Sequence, residues 1–474
     1  MKKYILSIIL CLVTAIIFSQ SKLWKKTKLY SSASTLSIKN LHKDKYQIFS
    51  LDLNTFKSQL TNTPLRTDRA SGNSVIVSFP DEKGNMERFR VLETSILAPS
   101  IAVKYPNIKT YIGFSLDNPG ARIRFSVTPQ GLKTMTSYIN KPTVFTVPIA
   151  KGNISEYITY DRGVRINSKK DFECLTENEY VPIKELTSFS RDANDQILRT
   201  LKIAISTTGE YTNFWDDGDD TNGDAQTDAL AALVSTLNRS NEVFEVDMAV
   251  TFQLVTGTEI IYPSASTDPY TGSYNSQLQS TLTSVVGESN YDIGHLFNYG
   301  SNNGNAGCIG CVCVDGQKGS GFSSHSFTDN DGGPNMDDFF DIDYVPHEIG
   351  HQMGGNHTFS QSSEGTGVNY EPGSGTTIMG YAGITGPNDV QDHSDPYFHY
   401  GTINQVLNNL DNRTCWTSTV ISNNPPTANA GGDYTIPQGT AFKLVGSATD
   451  SDEGDVLTYT WEQVDSGTTT SGSF

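Results

Sequence analysis

Hydrophobic and polar positions alternate in short runs through the first third of the chain, as in "SVIVSF", "RFRVLET", "ARIRFSVT" and "PTVFTVP". Gly, Pro and Asn punctuate these runs, and a period of two between such breaks predicts antiparallel β-structure. This texture covers residues 21 to about 190 and holds no cluster of catalytic residue types. The polar stretch "LTSFSRDANDQ" then reads as an exposed, cleavable connector. At Leu198 the period changes. "LRTLKIAIST" reads as a strand and "AQTDALAALVSTLNRSNEVFE" as a helix capped by Asp224, while "MAVTFQLV" and "YDIGHLFNYG" read as further strands. That order predicts an α/β domain with a mixed sheet. "NNPPTANAGG" marks a second linker near Ser422, and the pattern after Pro425 is all-β. About fifty residues remain there, short for a sandwich of roughly a hundred, so an incomplete one is expected.

The 474 residues exceed what one compact core holds. Ser, Thr, Asn and Gly are abundant while charged residues make up only 18%, a balance suited to a loop-rich extracellular protein. The formal net charge of −18 excludes nucleic acid as a natural partner, since little would neutralise phosphates. The N-terminal "MKKYILSIILCLVTAIIFSQS" has two lysines before an apolar run that is too short for a stable anchor. It reads as a secretory signal peptide cut near Gln20, taking Cys11 with it. Export permits disulfides among Cys308, Cys311, Cys313 and Cys415, with three pairings open and Cys313–Cys415 favoured as a staple on the central domain. Cys174 is left odd.

The stretch "VPHEIGHQMGGNH", residues 345–357, carries three of the eight histidines. His347 and His351, four apart, share one helix face and can reach one ion. Glu348 sits beside the first ligand, positioned for a water at an open coordination site. Gly354 can take positive φ, end the helix and return the chain so that His357 supplies a third ligand. Pro346 is tolerated if the helix starts about three residues earlier, with Asp343 as its N-cap; a helix that begins much earlier would kink there. A chance match to this spacing is on the order of one in 100,000, which disfavours accidental surface histidines. Among the other histidines, His295, His325, His393 and His399 read as structural.

These residues resemble the metzincin metallopeptidases, whose zinc helix is followed by a methionine-bearing turn. "GTTIMGYAG" supplies Met379 at a suitable distance, with Tyr381 two residues on. The resemblance implies two readings of Tyr381: a zinc ligand or oxyanion donor, as in the astacin and serralysin branches, or a packed turn residue. "HEIGHQMGGNHTF" is more similar to reprolysin-like peptidases exported by Bacteroidetes-type bacteria. The N-terminal region resembles propeptides of that group, and the C-terminal segment resembles a PKD-type immunoglobulin-like repeat with Trp461 at its core.

The expected organisation is a signal peptide (1–20), a β-rich propeptide (21–194), a metzincin-like α/β domain with mixed sheet and zinc helix (195–422), and a partial immunoglobulin-like β-sandwich (423–474). The implied function is a secreted or surface-held zinc endopeptidase acting on proteins or peptides. Glu348 is its general base, and no transmembrane anchor holds it. Substrate is expected to lie along "YDIGHLFNYG" as an edge strand, with cleavage preference set after the methionine turn, around "AGITGP". Cys174 is a latency candidate, because a thiolate from the leader would fill the open zinc position. Two acidic stretches, 216–224 and 328–338, invite calcium but lack ordered loop spacing, so solvated loops are the competing reading. The competing function is a weak or inactive metal-loaded adhesion protein, touching glycans or cells through the C-terminal repeat.

Overall fold

A computed structural model of the protein describes residues 23–28, 41–67, 74–164, 172–177, 193–327, 338–362 and 364–465. The signal-peptide reading, most of the connector and the acidic stretch 328–337 lie outside these residues. Among the described residues no helix is long and apolar enough to cross a membrane.

The alternating N-terminal runs form nine antiparallel strands: β1 (Trp24–Lys26), β2 (Tyr46–Leu51), β3 (Val75–Pro80), β4 (Met86–Glu93), β5 (Lys109–Ser115), β6 (Arg122–Thr128), β7 (Gly131–Ser137), β8 (Val144–Pro148) and β9 (Glu156–Asp161). They order as β1-β2-β9-β8-β7-β6-β5-β4-β3, a meander from β3 to β9 with β2 and β1 added beside β9. Both faces are covered. On β6, Ile123, Phe125 and Val127 join an aromatic core with Trp24, Phe56, Phe79, Phe89 and Tyr157. The alternate residues Arg122, Arg124 and Ser126 point to the other face and meet the next part of the chain.

That next part is a mixed sheet ordered β10-β14-β15-β13-β11-β12. Its strands are β10 (Glu173–Cys174), β11 (Ile197–Thr207), β12 (Val250–Leu254), β13 (Ile293–Tyr299), β14 (Asn303–Asn305) and β15 (Gly321–His325). β16 (Thr417–Val420) pairs antiparallel with the start of β11. The expected edge strand is a correction: β13 lies between β11 and β15, both parallel to it. A long apolar strand suits such a two-sided position. The strand near the edge is instead the short, polar β14, antiparallel to β15.

Two helices carry the packing. α1 (Gly209–Trp215) and α2 (Ala225–Met248) follow β11. Asp224 caps α2 as expected, its carboxylate accepting Thr227 N–H. α2 is buried nearly all round because the mixed sheet covers one side and the N-terminal sheet the other; Leu230, Val234 and Phe244 share one core with Met135, Phe145 and Tyr160. Its polar residues are paired across this contact. Arg122 and Arg124 bind Glu242 at 3.0 and 2.8 Å, and Arg124 and Arg66 both bind Glu245 at 2.6 Å. Buried charges persist only with such partners.

Disulfides join Cys308 to Cys311 and Cys313 to Cys415, so the favoured pairing is present; Cys174 is free. Beyond residue 422 the described structure holds one two-stranded ladder, β17 (Thr427–Asn429) with β18 (Ser447–Thr449). Trp461 is 49% exposed, so it is no core residue there. Too few strands are present to set a facing sheet against its ring.

Candidate metal centre

The helix that bears the histidines begins earlier than its sequence suggests. A wide-turned segment at Phe339–Tyr344 runs directly into α3 (Val345–Met353). Val345 N–H reaches back five residues to Phe340, and these widened turns tolerate the donor missing at Pro346. Asp343 is therefore not the N-cap. Its buried carboxylate accepts Ser394 N–H at 2.7 Å and pairs with Arg162, which also binds Asp338 at 3.1 Å. Asp338 further accepts the Tyr160 hydroxyl, so this end of the acidic stretch 328–338 is an ion-pair site.

α3 ends where expected. Gly354 has φ +120° and donates to the Gly350 and His351 carbonyls. The turn that follows delivers His357 back to the helix. The methionine turn lies beneath: a side chain at Gly350 would meet Met379 Sδ at 2.7 Å, so the buried Met379 packs directly against the helix backbone. On the opposite side Gln352 bonds His295 at 2.8 Å and the Gly294 carbonyl at 2.9 Å, tying α3 to β13. His295 also meets Ser323, and burial holds it down at about 4. It is structural, as expected.

Three ring orientations are fixed from behind. His347 Nδ1 bonds the Ile378 carbonyl at 2.7 Å, His351 Nδ1 the Gly355 carbonyl at 2.8 Å, and His357 Nδ1 the Glu364 carboxylate at 3.1 Å. Those acceptors place each proton on Nδ1 and leave a lone pair on every Nε2. The three lone pairs converge: His357 Nε2 is 3.2 Å from that of His347 and 3.1 Å from that of His351. Facing lone pairs repel unless a cation lies between them. A tetrahedral zinc with ordinary bond lengths needs nitrogen–nitrogen edges of about 3.3 Å and sulfur–nitrogen edges of about 3.6 Å. Cys174 Sγ stands 3.6 Å from His351 Nε2, and the four donor atoms lie within 4.8 Å of one another. Burial first, then neighbouring His357, holds His351 well below its ordinary value, and burial alone holds His357 at about 3. Neutral imidazoles are the form that binds metal. The residues present fit one zinc ion.

Residues 173–176 enter by extending the sheet. β10 pairs parallel with β14, Cys174 opposite Gly304. Cys174 and Thr176, two apart on an extended chain, face the same way. Thr176 donates its hydroxyl to Glu348 at 2.9 Å and accepts Ala306 N–H at 2.8 Å. The other Glu348 oxygen is buried with no partner, and burial pushes the carboxyl up to about 8. A side chain at Gly304 would lie 2.4 Å from that oxygen, so glycine there lets β14 pass over Glu348. Tyr381 stacks its ring edge against His357 at 4.5 Å and on Phe359 at 4.2 Å. Burial, then the nearby Cys174, raises its phenol above the ordinary value.

The site thus gathers His347, Glu348, His351, His357, Met379, Tyr381 and Cys174. The cysteines of the two disulfides, His393 and His399 are not among the converging donors. Thr176, Gly304 and Glu364 were not expected. Only Thr176 left a trace in the sequence, two positions from Cys174 in "CLT".

Residues 197–410 match the family model of the reprolysin-like M12B metallopeptidases. Among solved structures, metalloproteinase-II from Bacteroides fragilis is similar at 10% identity and a TM-score of 0.40, over 76% of this chain and 96% of that one. No curated protein matches the chain.

Proposed function

We propose that the chain is a secreted zinc metalloendopeptidase made as a latent precursor, because residues 197–410 match the reprolysin-like metallopeptidase family model. In this reading a signal peptide (1–20) directs export, residues 21–194 act as a propeptide, and 195–422 form the catalytic domain. His347, His351 and His357 hold the metal, and Glu348 is the general base. The single observation that carries it is the convergence of three Nε2 lone pairs beside a carboxylate on the same helix face.

Zinc bound there would polarise a scissile carbonyl and lower the pKa of a water beside it. Glu348 accepts that water's proton as its oxygen bonds to the carbonyl carbon, then returns the proton to the leaving amine as the C–N bond breaks. The Tyr381 phenol, packed on His357, is a donor to the developing oxyanion. A peptide substrate lies extended along β14, taking main-chain hydrogen bonds now made by residues 173–175. In the latent state Cys174 fills the fourth metal position and Thr176 occupies Glu348. The exposed Tyr434, Phe442 and Val445 support glycan or cell-surface contact through residues 423–474.

The test uses the full chain, nicked within residues 178–195 and again between Arg162 and Phe172, on casein with and without a zinc chelator. Chelator-sensitive cleavage is expected. Glu348→Ala should keep its zinc and lose at least about a hundredfold in turnover. Undiminished turnover in the zinc-loaded variant would remove Glu348 from its role. Cys174→Ala together with Thr176→Ala should raise activity before any nick above that of Thr176→Ala alone; equal activity in the two would refute thiol latency.

A further inference from the structure

α1 and α2 are joined by a loop, residues 216–224, that sits far from the histidines in sequence and carries none of their chemistry. Carboxylate oxygens of Asp216, Asp217 and Asp228 there lie within 4.8 Å of one another. Acidic loops are common, and the spacing of this one proves nothing. Two buried oxygens set it apart. Asp228, in the first turn of α2, is only 1% exposed; one of its oxygens accepts Asp217 N–H at 3.0 Å, and the other has no partner. Asn222 places its amide nitrogen on Asp217 at 3.0 Å, and its buried amide oxygen has no partner either.

No basic side chain among the described residues pairs with Asp216, Asp217 or Asp228. By contrast the buried acids Glu242, Glu245, Asp338 and Asp343 each meet an arginine. A buried carboxylate without a cation is costly, and so is a buried amide oxygen without a donor. The donors are all oxygen, several are anionic, and they come from a loop that can adjust around an ion. Such a set suits a hard divalent cation with a large, flexible shell and offers nothing to a softer metal.

We propose that Asp216, Asp217, Asn222 and Asp228 form a calcium site that fastens the end of α1 to the start of α2. The position has mechanical sense. Trp215, next to Asp216, closes α1, and the N-terminal sheet grips that same end through Gln130 and Lys151, which bond the Trp215 and Phe214 carbonyls. A bound ion stiffens the corner on which this sheet rests. It is separate from the zinc site and does not depend on the proposed catalytic roles.

Terbium serves as a luminescent stand-in for calcium, with Trp215 next door as its sensitiser. The full chain carrying Glu348→Ala, which prevents self-digestion, is titrated with terbium and then with calcium. Saturable, tryptophan-sensitised emission displaced by calcium is expected. At calcium about a hundredfold above its Kd, the folding equilibrium should shift about a hundredfold toward the native state, seen as a rise in Tm. Asp228→Asn and the gentler Asp216→Asn should each abolish most of both responses. Because Asp228 also accepts a backbone N–H, Asp216→Asn keeps the test decisive if Asp228→Asn misfolds. An undiminished response in Asp216→Asn, an equal response to magnesium, or no response in the parent protein would each overturn the site. An Asp452→Asn control separates this loop from the exposed cluster at Asp450, Asp452 and Asp455; loss of the response there would also overturn it.

Discussion

Glu364 holds the back of His357, and a carboxylate in that place raises the imidazole's basicity and fixes its tilt. Glu364→Gln is expected to weaken zinc binding about 10- to 100-fold, read by competition with a chelator, while the fold stays intact. Unchanged affinity would mean the contact is incidental. Gly304→Ala makes the complementary test. Its methyl would press on Glu348 and displace it, so turnover should fall by about a hundredfold with zinc content unchanged. The motif histidines and Glu348 were legible because one helix and one turn bring them together, and short-range periodicity encodes both. Glu364, Gly304 and Thr176 were not, because each acts across a gap that only tertiary packing closes. Nothing about a glycine in "SNNGN" announces that a carboxylate will pass beneath it.

At the level of elements, the sequence identified the strands, the long helix and the zinc helix, and erred on position. Asp343 looked like a cap because short polar residues usually sit before a helix; it was claimed instead by Arg162, 181 residues away. "YDIGHLFNYG" looked like an edge strand from its order in the chain, yet its apolar run on both faces belongs in a sheet interior. The two disulfides invite a prediction of rank. Cys313–Cys415 spans 102 positions and Cys308–Cys311 only three. Closing the longer loop restricts the unfolded chain more, by about 4.7 kcal/mol against about 2 kcal/mol on the loop-entropy estimate. Replacing both cysteines of the long pair with Ser should therefore lower Tm more than replacing the short pair. The reverse order would assign the short bridge a role in the native state.

Across the whole molecule, the N-terminal sheet is held by arginines docked on acids of the central body. Burial would raise Glu245, but Arg124 and Arg66 outweigh it and hold it at about 2; Glu242 is lowered likewise by Arg122 and Arg124. An acid depressed in the folded state stabilises fully above its ordinary value of 4.5 and loses that contribution as pH falls toward about 2. Attachment of the nicked N-terminal part should accordingly weaken in that window. Size-exclusion chromatography across it is the measurement, and retention unchanged at low pH would assign the attachment to the apolar core instead. The antiparallel N-terminal sheet and the mixed sheet were visible in period; how firmly the two interlock was not, since each arginine reads singly as a solvated surface charge.

Arg162 and Cys174 are twelve positions apart, and that short span changes what a single cut can achieve. Severing the chain after Cys174 leaves the thiol tied to a sheet that is itself anchored by Arg162. In the latent state proposed above, the thiol would then face the metal at an effective concentration on the order of millimolar, well above most competing peptides. On that proposal a single nick yields an inhibitor that has lost its covalent bond to the enzyme but hardly any of its local dose. Activity should therefore appear with a lag after nicking, shortened by a second cut between Arg162 and Phe172.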